Sequence, residues 1–132
     1  MKKDIRGRAD IALLVDEFYK KIKLDPVIGY IFSDIAKVNL DKHLPVMYDF
    51  FENMLFYTGS YNGNPMQLHK HLNSIVPLTV AHFDQWYYLF STTVDGLFTG
   101  ETASLAKQRA KSIATVMQIK IREGQSLPDR AG

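Results

Sequence analysis

The chain has 132 residues, 46% of them hydrophobic and 12% aromatic, with a formal net charge of +2 and no cysteine. This length suits one domain that buries roughly two-thirds of its unfolded surface, and the small charge argues against a nucleic-acid partner. No segment is apolar for long enough to span a membrane, disulfides and iron–sulfur clusters are excluded, and a reducing cytoplasm is the expected location.

In the first half of the chain, hydrophobic residues at helical spacing predict two long helices. Asp10 is the expected N-cap of the first helix, which the pair Asp25-Pro26 ends. Asp41 is the expected N-cap of the second, so Pro45 falls in its first turn, where a missing N–H is tolerated. The apolar stripes of these helices comprise Ile11, Leu14, Val15, Phe18 and Ile22, and then Leu44, Met47, Phe51 and Leu55.

Glycine and asparagine residues between positions 59 and 64 then predict a loop, and a short helix follows from about Pro65. Thr79 is expected to cap a third long helix, which Gly100 ends. The apolar stripe of this helix comprises Phe83, Trp86, Tyr87, Phe90, Val94 and Leu97.

Thr102 is the expected N-cap of a last helix that runs through Ile121, and Gly124 suits its C-terminal end. The stripe of this helix comprises Leu105, Arg109, Ile113, Val116 and Met117. We therefore predict an all-α domain over residues 1–124, followed by a disordered polar tail over residues 125–132.

The histidines are candidate metal ligands. Residues two apart on a helix point about 200° apart, so at most one of His69 and His71 faces inward. No H-E-x-x-H motif or Cys/His cluster accompanies them, which makes a zinc site a weak interpretation. His82 is expected at the surface, although it is placed to reach the carboxylates of a cofactor.

Taken one at a time, the other polar candidates have simple structural interpretations. Tyr19 lies at the edge of an apolar stripe, where a tyrosine often keeps its hydroxyl in water. His43 is most simply an exposed residue near a helix start. Trp86 is most simply a core residue whose N–H needs a partner.

Four motifs give a more specific interpretation. They are Phe18-Tyr19-Lys20-Lys21-Ile22, Gly29-Tyr30-Ile31-Phe32, Tyr61-Asn62-Gly63-Asn64-Pro65-Met66 followed by His69, and His82-Phe83-Asp84-Gln85-Trp86 with Leu89-Phe90. Together they resemble the truncated haemoglobins of group III over Ile11 to Ile121. The resemblance implies a truncated globin, a two-over-two helical sandwich around haem b.

By this resemblance, His69 is the proximal ligand of the haem iron, and Tyr19, His43 and Trp86 are the ligand-binding residues of the distal side. Contacts with the haem are implied for Phe32, Val46, Met47, Phe50, Leu68, His69, Leu72, Trp86 and Met117. Two positions depart from the family pattern: Phe51 stands where tryptophan is frequent, and Pro45 follows the distal histidine closely.

The residue chemistry agrees with an oxygen-binding haem protein. A single neutral imidazole leaves the sixth position of the iron open, and bound oxygen is stabilised by donors such as the Tyr19 O–H and the Trp86 N–H. We therefore predict binding of oxygen and related diatomic ligands, namely nitric oxide and carbon monoxide, at a five-coordinate iron.

Two other functions stay open at this point. A haem enzyme for nitric oxide dioxygenation or peroxide reduction would use the same donors, but it needs a separate reductase because the chain has no flavin or nicotinamide motif. A helical interaction module without haem, whose aromatic residues are simply core, is the third possibility.

Overall fold

The computed structural model describes residues 2–31, 40–57, 59 and 78–126, and in these ranges the chain is all-α. Four helices are present there: α1 (Arg8–Leu24), α2 (Leu40–Phe56), α3 (Val80–Leu97) and α4 (Glu101–Ser126). α1 packs on α2 and α3 packs on α4, while contacts of α1 with α3 and of α2 with α4 join these two pairs. This is the predicted arrangement of two helices over two. Of the helices in the described ranges, none combines the length and apolarity needed to cross a bilayer.

Aromatic rings fill the centre of the core, where α1, α2 and α3 meet. Phe18 of α1 meets Phe90 of α3 edge to face, with ring centroids 5.2 Å apart. Phe51 of α2 stacks on the same Phe90 ring at 5.3 Å. All three side chains are buried. Phe51, which stands where the family pattern favours tryptophan, is therefore part of the core.

A second, smaller apolar cluster lies between α3 and α4. Its buried members are Phe83, Ala114, Met117 and Ile121. Trp86 packs against this cluster and against the central core, so its indole lies at the junction of the two.

The starts of the first two helices differ from the predictions. α1 begins at Arg8, with Gly7 as its N-cap residue, so the prediction that Asp10 precedes the helix is wrong. Instead, the Asp10 carboxylate accepts the Arg6 N–H and pairs with Lys3, and these two partners lower its pKa. A carboxylate in the first turn of a helix also interacts favourably with the helix dipole.

α2 begins at Leu40, which places both Asp41 and Pro45 inside the helix. Asp41 is therefore not the N-cap, and Pro45 is the sixth helical residue rather than a residue of the first turn. Proline has no N–H, so the helical hydrogen bond from position 45 to the Asp41 carbonyl cannot form. The turn that carries His43 is consequently held by one backbone bond fewer than an ordinary helical turn.

The predicted N-cap of α3 is confirmed. The Thr79 hydroxyl accepts the His82 N–H at 3.4 Å, and the Thr79 N–H donates to Nδ1 of His82 at 3.0 Å. The two residues therefore satisfy each other as a capping box. His82 is half-buried and works as a cap in this structure, because its Nδ1 accepts the Thr79 N–H.

α3 ends at Leu97, three residues before Gly100. Phe98 is extended and forms a parallel β-bridge with Lys3, and the Thr99 N–H donates to the Lys3 carbonyl at 2.9 Å. Pairing with this N-terminal segment takes the chain out of the helix before the predicted glycine is reached. Gly100 then adopts a φ of 138°, a conformation that favours glycine.

The N-terminus of α4 is capped by a residue from the other end of the chain. The Asp4 carboxylate accepts the N–H groups of Thr102 and Ala103 at 2.9 and 2.8 Å. Thr102 is thus the second residue of the helix, and its prediction as N-cap is wrong. A Cβ on Gly100 would lie 2.5 Å from the Asp4 carboxyl carbon, so only glycine lets the carboxylate approach.

α4 also differs from its prediction in its core face and in its end. Its most buried positions are Ala103, Ala106, Ala110, Ala114, Met117 and Ile121, whereas Val116 is 48% exposed. The small alanine side chains let this face of α4 pack closely on its neighbours. A search for large apolar residues overlooks such a face. The helix continues through Ser126, two residues beyond Gly124.

Candidate functional site

Tyr19 and His43 form the polar centre of the candidate site. The Tyr19 hydroxyl lies 3.0 Å from Nε2 of His43, and the two rings meet edge to face at 5.3 Å. Tyr19 is only 5% exposed, and burial raises the pKa of its hydroxyl, which therefore stays protonated as an O–H donor. Depending on the imidazole tautomer, either the Tyr19 O–H donates to Nε2 or the His43 N–H donates to the phenol oxygen.

Trp86 is joined to this pair through Phe18. The Phe18 ring lies 5.4 Å from the Tyr19 ring and 5.8 Å from the Trp86 ring, where it meets the indole edge to face. The indole also stacks on Phe90 at 5.9 Å. The structure thus brings the three predicted distal residues to one region, on α1, α2 and α3, around a buried phenylalanine.

One face of α2 continues the site with apolar side chains. His43, Met47 and Phe50 are spaced at i, i+4 and i+7, which places them in one row along the helix. Met47 and Phe50 are half-buried and pack against the central core, whereas Val46 is 45% exposed. Met117 lies in the second cluster, beyond Trp86. The four other residues predicted to contact a haem, Phe32, Leu68, His69 and Leu72, lie outside the described residues.

A polar network also joins α1 to α2, and its α1 members precede Tyr19 along the helix. The Tyr48 hydroxyl donates to the Asp16 carboxylate, and burial together with this carboxylate raises the pKa of Tyr48 to about 12. Arg8 pairs with Asp49 and Glu52 at 2.7 and 3.2 Å and lies over the Tyr48 ring. Because these contacts fix the register of the two helices, they keep Tyr19 opposite His43.

A second polar link, which the sequence analysis missed, joins the end of α1 to α3. Nε2 of Gln85 donates to Oδ1 of Asp25 at 2.6 Å, while Oδ2 of Asp25 accepts the N–H groups of Val27 and Ile28. The Asp25-Pro26 pair predicted the end of the helix correctly. No local signal in the sequence, however, pairs its carboxylate with a glutamine sixty positions later.

Comparison with known proteins identifies the family. The family model for bacterial-like globins matches residues 3–121. The chain belongs to this family. It is 30% identical over 121 residues to the group 3 truncated haemoglobin ctb of Campylobacter jejuni, covering 89% of this chain and 93% of the relative.

The fold of this globin agrees with the same assignment. The crystal structure of the group III truncated haemoglobin from Campylobacter jejuni superposes with a TM-score of 0.81 at 28% identity, covering 92% of this chain and 95% of the other. The predicted truncated-globin fold and the resemblance to group III are therefore confirmed. As a truncated globin, the chain is a haem-binding protein of a family whose members bind diatomic gases.

The described residues of this globin fit a haem. The row on α2 offers one imidazole followed by half-exposed apolar side chains, which suits the flat apolar face of a porphyrin. Tyr19 and Trp86 carry neutral hydrogen-bond donors beside apolar side chains, which suits a ligand that accepts hydrogen bonds. Within the described ranges, no group of three or more histidine or acidic side chains forms a separate metal site.

Proposed function

We propose that this globin binds haem b through His69 and takes up oxygen and related diatomic ligands reversibly at a five-coordinate iron. The observation that carries the proposal is the buried Tyr19 hydroxyl, which pairs with His43 and lies on the opposite side of Phe18 from Trp86. When bound, the haem iron supplies the coordination position that a diatomic gas occupies. The assignment of His69 rests on its position after Pro65-Met66 and on the family to which the chain belongs.

Tyr19 and Trp86 are the residues that would stabilise bound oxygen. The Tyr19 O–H keeps its proton at every physiological pH, because burial raises its pKa. The indole N–H of Trp86 is a donor in every state. A hydrogen bond to a charged partner contributes about 1.5–3 kcal/mol, which corresponds to roughly ten- to a hundredfold in affinity. Carbon monoxide stays nearly neutral when bound and gains less from the same donors.

His43 would control entry to the site more than it anchors the ligand. It is half-buried near the start of α2, in a turn that Pro45 deprives of one backbone hydrogen bond. In the structure its Nε2 already interacts with the Tyr19 hydroxyl. Outward rotation of the imidazole would both open a path and leave the Tyr19 O–H available to a ligand.

Two measurements test the proposed function. The purified protein should show a Soret band, and the ferrous form should bind oxygen reversibly in stopped-flow measurements of dissociation. A protein purified from haem-supplemented cells without a Soret band would contradict the proposal and favour an interaction module. Rapid nitric oxide consumption under an added reductase would favour the enzyme instead, because the donors that hold oxygen also polarise its O–O bond.

A further inference from the structure

We propose that Gln85 is a positioning residue: through Asp25 it sets the placement of the Trp86 indole in the distal site. This inference rests on the proposed function, since it assigns Trp86 the role of a donor to bound oxygen. Gln85 directly precedes Trp86 on α3 and is itself half-buried. The side chains of Gln85 and Trp86 leave the helix about 100° apart. Gln85 therefore acts on the indole through the backbone and does not contact the ligand.

The Asp25 carboxylate makes a rigid acceptor for Gln85. Its Oδ2 accepts the Val27 and Ile28 N–H groups, each at 2.9 Å, in the turn that follows α1. This turn is tightly packed, because a Cβ on Gly29 would lie 2.9 Å from the Ile22 carbonyl oxygen. Oδ1 is thereby held in one direction, and Gln85 donates to it at 2.6 Å.

Among the contacts between α1 and α3, which include Phe18 with Trp86 itself, two anchors lie on either side of Trp86 along α3. Phe18 meets Phe90 at the apolar anchor, and Asp25 meets Gln85 at the polar one. One contact alone lets two helices rotate and slide against each other, whereas two separated contacts restrict both motions. Since Tyr19 follows Phe18 on α1, the same two anchors fix the indole relative to the Tyr19 hydroxyl.

A small movement of α3 is enough to matter. A rotation of roughly 10° displaces an atom at the side-chain radius of a helix, roughly 6 Å from its axis, by about 1 Å. Hydrogen bonds from N–H to oxygen are effective over a range of only about 0.5 Å. Loss of the Gln85 anchor should therefore weaken the bond from Trp86 to oxygen without removing the indole from the core.

The test exchanges the donor and the acceptor of the pair. Gln85→Glu places two carboxylates against each other and breaks the link. Asp25→Asn is the matched control, because its amide oxygen can still accept the Val27 and Ile28 N–H groups while the Gln85 amide turns to accept from its NH₂. The double variant Q85E/D25N restores a donor opposite an acceptor. Gln85→Met, of similar length but without a donor, replaces Gln85→Glu if that variant does not fold.

The first readout is ligand kinetics of the ferrous haem protein. Gln85→Glu should speed oxygen dissociation about three- to tenfold, because the Trp86 bond is partly lost. Carbon monoxide dissociation should change less than about twofold. Asp25→Asn and the double variant should both return to near the wild-type oxygen rate. An unchanged oxygen rate in Gln85→Glu would overturn the proposal, even if the melting temperature falls, because the link would then be only structural.

The second readout does not depend on oxygen binding. Trp86 is the one tryptophan of the chain, so its indole gives a single ¹H–¹⁵N resonance. We expect this resonance to move in Gln85→Glu and to return in the double variant, both in the carbon monoxide form and in the haem-free protein. A wild-type protein that binds no oxygen would contradict the proposed function, whereas an unmoved indole resonance would contradict the positioning role.

Discussion

Nε2 of His43 and the hydroxyl of Tyr19 lie 3.0 Å apart, so two polar side chains of the proposed distal site are partners of each other. One hydrogen atom lies between them, and the imidazole tautomer decides which residue supplies it. A change at either residue therefore alters the hydrogen bonding of the other. The effect of each mutation on ligand binding follows from this relationship.

Tyr19 and Trp86 should act together on bound oxygen. We expect Tyr19→Phe and Trp86→Phe each to speed oxygen dissociation by about tenfold, the loss of one hydrogen bond to a charged partner. The double variant should depart from additivity, because the two donors share one acceptor and the remaining donor partly compensates. Stopped-flow oxygen dissociation on the four proteins measures this.

Carbon monoxide is the control ligand for these variants, and its dissociation should change far less than that of oxygen. Equal effects on both gases would mean that Tyr19 and Trp86 shape the pocket sterically. The hydrogen-bond interpretation would then fail, while the family assignment would stand.

Replacing His43 should affect ligand entry more than ligand release. In His43→Leu the Tyr19 hydroxyl loses the imidazole as a partner and can still donate to oxygen, so dissociation should not accelerate as it does in Tyr19→Phe. Association should change, because the residue proposed to rotate is gone. Flash photolysis of the carbon monoxide form gives the association rate.

Pro45→Ala is the companion variant for the entry role. It restores the backbone N–H that can donate to the Asp41 carbonyl and so stiffens the turn that carries His43. We expect slower association with unchanged oxygen dissociation. Association as fast as in the wild-type protein would show that the motion of His43 does not depend on Pro45.

The proximal ligand can be assigned to His69 or His71 by testing whether free imidazole replaces the missing side chain. We expect His69→Gly to lose most of its haem, or to gain a site that free imidazole fills, since the glycine leaves space for that ligand. His71→Ala should leave the ferrous spectrum almost unchanged. Optical titration with imidazole measures both, and the opposite pattern would transfer the proximal role to His71.

Asp4 should stabilise the fold in a pH-dependent way. Although burial on its own would raise the pKa of this carboxyl, the N–H groups of Thr102, Ala103 and Ile5 hold it below the usual value of 3.8. A carboxyl with a lowered folded-state pKa contributes stability above its unfolded pKa and loses it as the pH falls through the folded value. The contribution of Asp4 should therefore be complete at pH 7 and fade below about pH 4.

Asp4→Ala should cost about 1–2 kcal/mol at pH 7, the usual effect of losing a helix cap. The difference in the free energy of unfolding between wild type and Asp4→Ala should shrink between pH 5 and pH 3, as followed by urea denaturation. A difference that stays constant over this range would show that the carboxylate charge is not involved.

The sequence predicted those features whose cause is local. Thr79 and His82 lie three residues apart, so a capping box could be recognised from residue types and spacing. The Asp25-Pro26 break is local for the same reason. The apolar stripes of α1 and α2 follow the helical repeat, and their members Phe18, Phe51 and Leu55 are buried as predicted.

The features that the sequence did not predict depend on contacts between distant positions. Thr102 is a good N-cap residue by type, yet Asp4 takes that role from 98 positions away. The core face of α4 was overlooked because alanine carries little hydrophobic signal. The family resemblance assigned Tyr19 and His43 to the same side of the haem, but it did not predict that they pair with each other. No spacing rule connects residues on two different helices.

The Asp4 cap also sets an order of events during synthesis. The acceptor of this contact is synthesised about a hundred residues before its donors, Thr102 and Ala103. At a translation rate of ~5–20 residues per second, the interval is roughly 5 to 20 seconds. During that interval the segment around Lys3 and Asp4 has neither its strand partner near Phe98 nor the helix that it caps. The segment around Asp4 therefore docks late in folding, after α1, α2 and α3 have all been synthesised.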